Sequence, residues 1–167
     1  NLAPSPYAAY EIMFWLLGSV ADRSLEHVAL AAPFMLIGWT LIMTTGRALD
    51  ALTLGEDVAQ SLGFDLKRVR LRLVLGTAAC VGAGVAFTGA IGFVGLVVPH
   101  LLRNFVGALP SSLLALSALG GALLTLAADL LVRLIEHGVE LKLGVVTALI
   151  GAPFLCWLVL QARRKEI

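Results

Sequence analysis

Leu73-Val-Leu-Gly-Thr-Ala-Ala-Cys-Val-Gly-Ala-Gly-Val-Ala-Phe-Thr-Gly-Ala-Ile-Gly-Phe-Val-Gly-Leu-Val-Val-Pro-His-Leu-Leu102 is a run of 30 residues without a single charge. In hydrocarbon every backbone polar group must find its partner within the chain, so such a run is helix or a strand of a closed barrel. Barrel strands alternate apolar and polar residues; this run does not, which leaves helix. A helical span takes about 20 residues. Thirty residues are too many for one straight span and too few for two complete ones. Gly89, Gly92 and Gly95, at a spacing of three, supply a break and allow a tight re-entry into the bilayer. The run therefore reads as one span over 69–88 and a shorter one over 93–106.

On its N-terminal side, 28–45 fits one span, with Pro33 in the first turns, where a missing donor does least harm. On its C-terminal side, Gly107-Ala-Leu-Pro-Ser-Ser112 is a turn signal, followed by spans over 113–134 and 144–160. Residues 8–17 are apolar but too short to cross and read as a half-buried helix near one surface. The expected fold class is all-α: a polytopic membrane bundle of about five transmembrane helices, a short outer helix and a polar loop over 46–68.

Composition agrees. The 167 residues are 59% apolar before the 17 glycines are counted, 14% are charged, and the mean hydropathy is +0.95. Soluble domains run at roughly 45–50% apolar with Gly included and about 25% charged. A soluble enzyme, a disordered chain and a nucleic-acid-binding module are excluded. Cys80 and Cys156 lie inside apolar runs and read as small hydrophobes, not as a disulfide or a metal site.

With five spans, one side receives Arg47, Lys67, Arg68, Arg70, Arg72, Arg103, Arg163, Arg164 and Lys165, and the other Arg23, Arg133 and Lys142. Nine against three places the first side, and with it the C-terminus, in the cytoplasm. An odd number of spans then puts Asn1 outside. Asn1-Leu-Ala-Pro-Ser-Pro6 reads as an extended connector, without the basic region and cleavage site of a signal peptide. The expectation is that further spans precede it. Small residues every four positions, Ala78, Gly82 and Ala86, and Ser117, Gly121 and Thr125, predict close helix packing.

Three groups could carry more than packing. In the loop, Thr53-Leu-Gly-Glu56 matches a capping box, with Thr53 capping a helix and Glu56 reaching back; Gly63 is a helix stop. Val58, Ala59 and Leu62 give that helix one apolar edge, which could lie on the membrane or enter a groove on a cytoplasmic partner. In the glycine segment, Pro99 frees a carbonyl, and His100 beside it could titrate, bind metal or simply pack. Asp129 and Arg133, four apart, share a helix face and predict an ion pair, either structural or functional. No G-x4-G-K-[ST] phosphate loop and no nucleophile–base set is present, so energy from ATP would have to come through another polypeptide.

Gly89-Ala-Ile-Gly-Phe-Val-Gly-Leu-Val-Val-Pro-His-Leu-Leu-Arg103 closely resembles the signature of the FecCD-type permeases of ABC importers for iron-siderophore, haem and cobalamin. Phe14-Trp-Leu-Leu-Gly-Ser19, Ala51-Leu-Thr-Leu-Gly-Glu56 with Ala59 and Leu62-Gly63, Ala128-Asp-Leu-Leu-Val-Arg133 and Gly144-Val-Val-Thr-Ala-Leu-Ile-Gly-Ala-Pro153 follow in the same order. The resemblance covers nearly the whole chain and matches the C-terminal half of a ten-span subunit. It implies a non-catalytic permease of the bacterial inner membrane. The implied partners are a second permease copy, two cytoplasmic ATPase subunits that hold the ATP and Mg, an extracytoplasmic binding protein and lipid; nucleic acid has no place among them, and no cofactor sits on this chain. The implied cargo is a metal chelate, a ferric siderophore first, with haem or cobalamin as alternatives. Leu52, Thr53, Leu54, Gly55, Glu56, Ala59, Leu62 and Gly63 match the family's coupling helices, which dock on the ATPase. Arg133 matches an outer arginine that meets the binding protein. Gly89, Gly92, Gly95, Pro99, His100 and Asp129 would serve packing or the pathway. Glu140-Leu-Lys142 departs from the family's Glu-Leu-Pro. The competing reading is a secondary or proton-coupled transporter using His100 and Asp129.

Overall fold

The computed structural model describes Tyr7, Ile12 and residues 17–21, 23–106, 109–135 and 142–165. The Asn1–Pro6 connector, Gly107 and Ala108 of the turn signal, Glu140 and Leu141, and all of the 8–17 helix except Ile12 and Leu17 lie outside them. The described residues form seven helices: α1 (Leu25–Met43), α2 (Gly46–Leu52), α3 (Glu56–Ser61), α4 (Leu66–Thr88), α5 (Val94–Val106), α6 (Pro110–Ile135) and α7 (Leu143–Lys165). The all-α class holds. Three stretches are long and apolar enough to cross a membrane: Leu25–Leu52, Leu66–Thr88 and Pro110–Leu134. Val94–Arg103 and Leu143–Leu158 are shorter apolar helices.

The chain divides into two compact units, one of residues 1–21, 88–101 and 120–167, the other of residues 22–87 and 102–119. In the second unit α1 and α4 cross at a pair of facing glycines. A Cβ on Gly38 would stand 2.6 Å from the Gly76 carbonyl oxygen, and one on Gly76 would stand 2.8 Å from that of Gly38. Lipid gives no hydrophobic drive for association, so only such close backbone approach gains contact area. Cys80 Sγ donates to the Met35 carbonyl at 3.4 Å in the same crossing. The packed line of α4 thus runs through Gly76, Cys80 and Gly84, where a Cβ would touch the end of Met35. The stripe read from the sequence, Ala78, Gly82 and Ala86, is exposed instead. Two residues of offset turn a helix by about 200°, so the two lines lie on opposite faces, and spacing alone does not say which one meets a neighbour.

Pro33 also sits elsewhere than expected. The helix begins at Leu25, which puts Pro33 in its interior. His27 takes the place of the usual Glu or Gln in a reach-back contact: its Nδ1 accepts the Ser24 N–H at 3.2 Å. The first unit is built on Ala128, Val132 and Leu143, with Val20, Ile91 and Val146 packed around them.

Candidate functional site

The loop after α1 is two short helices packed on each other, and they differ in burial. α2 is held inside: Thr45, Ala48 and Ala51 are buried. α3 projects. Leu54, Val58 and Leu62 are exposed, while Ala59 is completely buried. Of the eight residues read as one contact set, Ala59 therefore faces inward and Leu52 is half-buried; Thr53, Leu54, Gly55, Glu56, Leu62 and Gly63 are exposed.

The expected capping box does not form. Thr53 closes α2 and its Oγ1 donates back to the Asp50 carbonyl at 2.7 Å, the competing local bond open to Ser and Thr near a helix end. The residue before α3 is Gly55 at φ +110°, with no side-chain cap. Glu56 stands in the first turn, where the helix dipole favours an anion. α3 ends as its glycine predicts. Gly63 has φ +87°, its N–H donates to Gln60 O at 2.9 Å, and the Phe64 N–H donates to Ala59 O at 3.1 Å, the paired bonds of a Schellman stop. Asp65 then starts α4, accepting the N–H groups of Lys67 and Arg68 at 3.1 and 3.3 Å.

Between α4 and α5 residues 89–93 form a turn. Gly89 has φ +71° and follows the last residue of α4. Gly92 and Gly95 are exposed, and a Cβ on either would meet nothing within 4 Å. Among the described residues of this chain neither is pressed by a neighbouring helix: Gly92 lies in the turn and Gly95 in the first turn of α5. Phe93, at φ +67°, is the residue that enters the contact, its side chain lying where a Cβ of Gly151 on α7 would fall. Pro99 lies inside α5. His100 is exposed and meets Phe154 edge-on, ring centroids 5.7 Å apart. Among the described residues no group of three or more His, Cys, Asp or Glu is placed to hold a metal ion.

Asp129 and Arg133 form the predicted ion pair, Nε to Oδ2 at 2.8 Å; the Arg133 side chain is 61% exposed and that of Asp129 only 21%. The arginine reaches outward from a carboxylate anchored near the Ala128–Val132–Leu143 core. Sequence reasoning passed over the contacts beside it. Gly18 lies at φ +57° against the Ala90 carbonyl, and the Gly144 N–H donates to the Gly18 carbonyl at 3.3 Å. It also passed over Asp50, whose Oδ1 accepts the Ser111 N–H at 2.9 Å. The signal for it was present: α6 opens on Leu109-Pro110, and neither residue brings a side-chain acceptor.

Membrane-length apolar helices, shorter apolar helices and a loop of two short helices, one held inside and one projecting, define a segment of a polytopic membrane protein. The chain belongs to the FecCD transport family, whose profile matches residues 2–161. It is 49% identical over 152 residues to the vitamin B12 import system permease protein BtuC of Vibrio cholerae, covering 90% of this chain and 45% of that protein. It is 41% identical to the Fe(3+) dicitrate transport system permease protein FecD of Escherichia coli (95% and 50% covered). It is 39% identical to the hemin transport system permease protein HmuU of Yersinia pestis (93% and 47%). A solved structure described as an inward-facing conformation of a metal-chelate type ABC transporter superposes with a TM-score of 0.82 at 33% identity, over 96% of this chain and 52% of that one. The chain spans about half the length of the curated relatives it matches.

Proposed function

We propose that this chain forms half of the permease subunit of a binding-protein-dependent ABC importer for a metal chelate, in a bacterial inner membrane. The permease does no covalent chemistry. Two copies line the pathway, and separate ATPase subunits holding ATP and Mg drive alternating access through their different affinities for its two states. The 46–68 loop and the C-terminus face the cytoplasm. The relatives carry vitamin B12, ferric dicitrate or hemin in their names, so cobalamin stands beside ferric siderophore and haem as cargo.

The observation that carries this reading is α3. Leu54, Val58 and Leu62 stand exposed around a six-residue helix whose Ala59 is sealed inward. Solvated apolar side chains on a short, firmly stopped helix fit a groove on a partner. The test is the Leu54→Asp/Leu62→Asp variant of the full-length permease, coexpressed with the neighbouring ATPase. Membrane insertion should match wild type, while ATPase copurification and ATP-driven uptake of cyanocobalamin, ferric citrate or haemin should fall at least about tenfold, the scale of one lost anchor residue. Uptake that continues without any ATPase would favour a proton-coupled carrier instead.

Arg133 is proposed as the docking residue for the binding protein on the outer face, with Asp129 orienting it. Arg133→Ala should weaken binding-protein affinity several-fold at low salt and leave the remaining affinity less dependent on salt, because exposed charges are screened. The melting temperature should hardly move, since exposed pairs contribute little stability. Unchanged affinity with a lowered melting temperature would make the pair structural.

A further inference from the structure

We propose that Asp50 is a positioning residue that hooks the buried coupling helix α2 to the first turn of α6, so that movement of the α2–α3 loop is passed to a membrane-length helix. The proposal rests on the ABC-importer reading of the loop. It starts from an orphan donor. The first N–H groups of a helix have no partner within it. At α6 the residue before the helix, Leu109, offers no side-chain acceptor, and Pro110 has no N–H. Ser111 brings the first donor of the helix, and it is met by Asp50 Oδ1 at 2.9 Å, from 61 residues away in sequence. A carboxylate on a backbone N–H at a helix start is a charge-assisted bond that the helix dipole strengthens.

A second contact lies one turn back on the same face of α2. A Cβ at Gly46 would stand 3.2 Å from Ser111 Cβ. Gly46 and Asp50, four residues apart, thus both bear on Ser111. Local side-chain bonds close the backbone at both ends of α2. Thr45 Oγ1 donates to Ile42 O at 2.6 Å, and Thr53 Oγ1 donates to Asp50 O at 2.7 Å. The exposed helix α3 packs on α2, so a pull on α3 reaches Ser111 through one short, braced helix. Deleting the carboxylate removes the polar half of that link without touching the exposed face of α3.

The experiment uses the full-length permease with its ATPase in proteoliposomes, in a Cys80→Ala/Cys156→Ala background. Asp50→Ala should keep insertion, ATPase copurification and ATP hydrolysis, and lower the uptake per ATP hydrolysed by roughly tenfold, the scale of one charge-assisted hydrogen bond. Uptake is read with whichever of cyanocobalamin, ferric citrate and haemin the unmodified protein carries. Asp50→Asn keeps an acceptor oxygen and should stay within about threefold of wild type, the scale of an ordinary net hydrogen bond. Gly46→Cys/Ser111→Cys brings two Cβ atoms close to the roughly 3.5–4.5 Å of a disulfide. Oxidised, that bond should restore uptake to the Asp50→Ala protein, and reduction should remove it again, a response that a general loss of stability would not give. Three results would overturn the tie: wild-type uptake by Asp50→Ala, loss of ATPase copurification in that variant, or no rescue by the disulfide. An unmodified protein that neither binds the ATPase nor takes up any of the three probes with ATP would overturn the importer reading itself, and the tie with it.

Discussion

Gly144→Ala in the full-length protein should cut the yield of monodisperse, detergent-extracted protein by about tenfold or more and lower its melting temperature. The added methyl would run into the carbonyl of Leu17. That obstacle is backbone, held in place by the Gly144 N–H on Gly18 O at 3.3 Å and the Ser19 N–H on Thr88 O at 2.7 Å. Overpacking a core with side chains costs about 1–3 kcal/mol when neighbours can move. Here the neighbour is a hydrogen-bonded segment, and Gly18 opposite is already at φ +57° with Ala90 O at 2.6 Å from where its own Cβ would be. Moving the segment away would also strip Val20 from the Ala128–Val132–Leu143 core. Size-exclusion profiles and thermal unfolding read by Trp fluorescence check this; wild-type values for both would show that the segment yields easily.

Gly151→Ala should be the second most damaging change, and it should be repaired in part by Phe93→Gly. The methyl at position 151 would overlap Phe93 Cβ and Cγ. Phe93 cannot simply step aside, because its backbone is at φ +67°, immediately before α5, where its carbonyl accepts the Val97 N–H at 2.9 Å. A non-glycine residue in this region bears about 1–2 kcal/mol of strain, balanced here by the fit of the ring against Gly151. Phe93→Gly loses the ring but relieves the backbone. In the double variant the clash has no partner, so the two changes should couple by roughly 0.5–3 kcal/mol instead of adding. Melting temperatures of the four proteins, with unfolding enthalpies, give the cycle; additivity within about 0.5 kcal/mol would separate the two residues.

Much of the chain was legible beforehand because the relevant physics is local. A 30-residue uncharged run has to be helix in hydrocarbon whatever surrounds it, and the turn at Gly89 follows from backbone freedom that only glycine has. Gly63 stops α3, and Asp129 finds Arg133, because each needs only near neighbours in sequence. The five ordered motifs likewise sufficed for the family, since they depend on residue identity and not on contact.

What failed was every choice between equivalent local options. Thr53 had two helices within reach and closed the earlier one. Ala59 looked like part of an apolar edge and turned out to be its buried side. On α4 two lines of small residues offered opposite faces, and only the presence of Gly38 decided for Gly76 and Cys80. Gly92 and Gly95 attracted attention by their spacing, while the glycines under steric pressure, Gly18, Gly144 and Gly151, are marked only by what lies against them. The sequence by itself determined that the chain is helical, belongs in a membrane and where its helices break, because solvation of the backbone and glycine's dihedral freedom act within a few residues. The tertiary structure alone decided which faces touch and that Asp50 caps α6, because a Cβ-to-carbonyl contact or a cap supplied from 61 residues away exists only once two distant segments have been brought together.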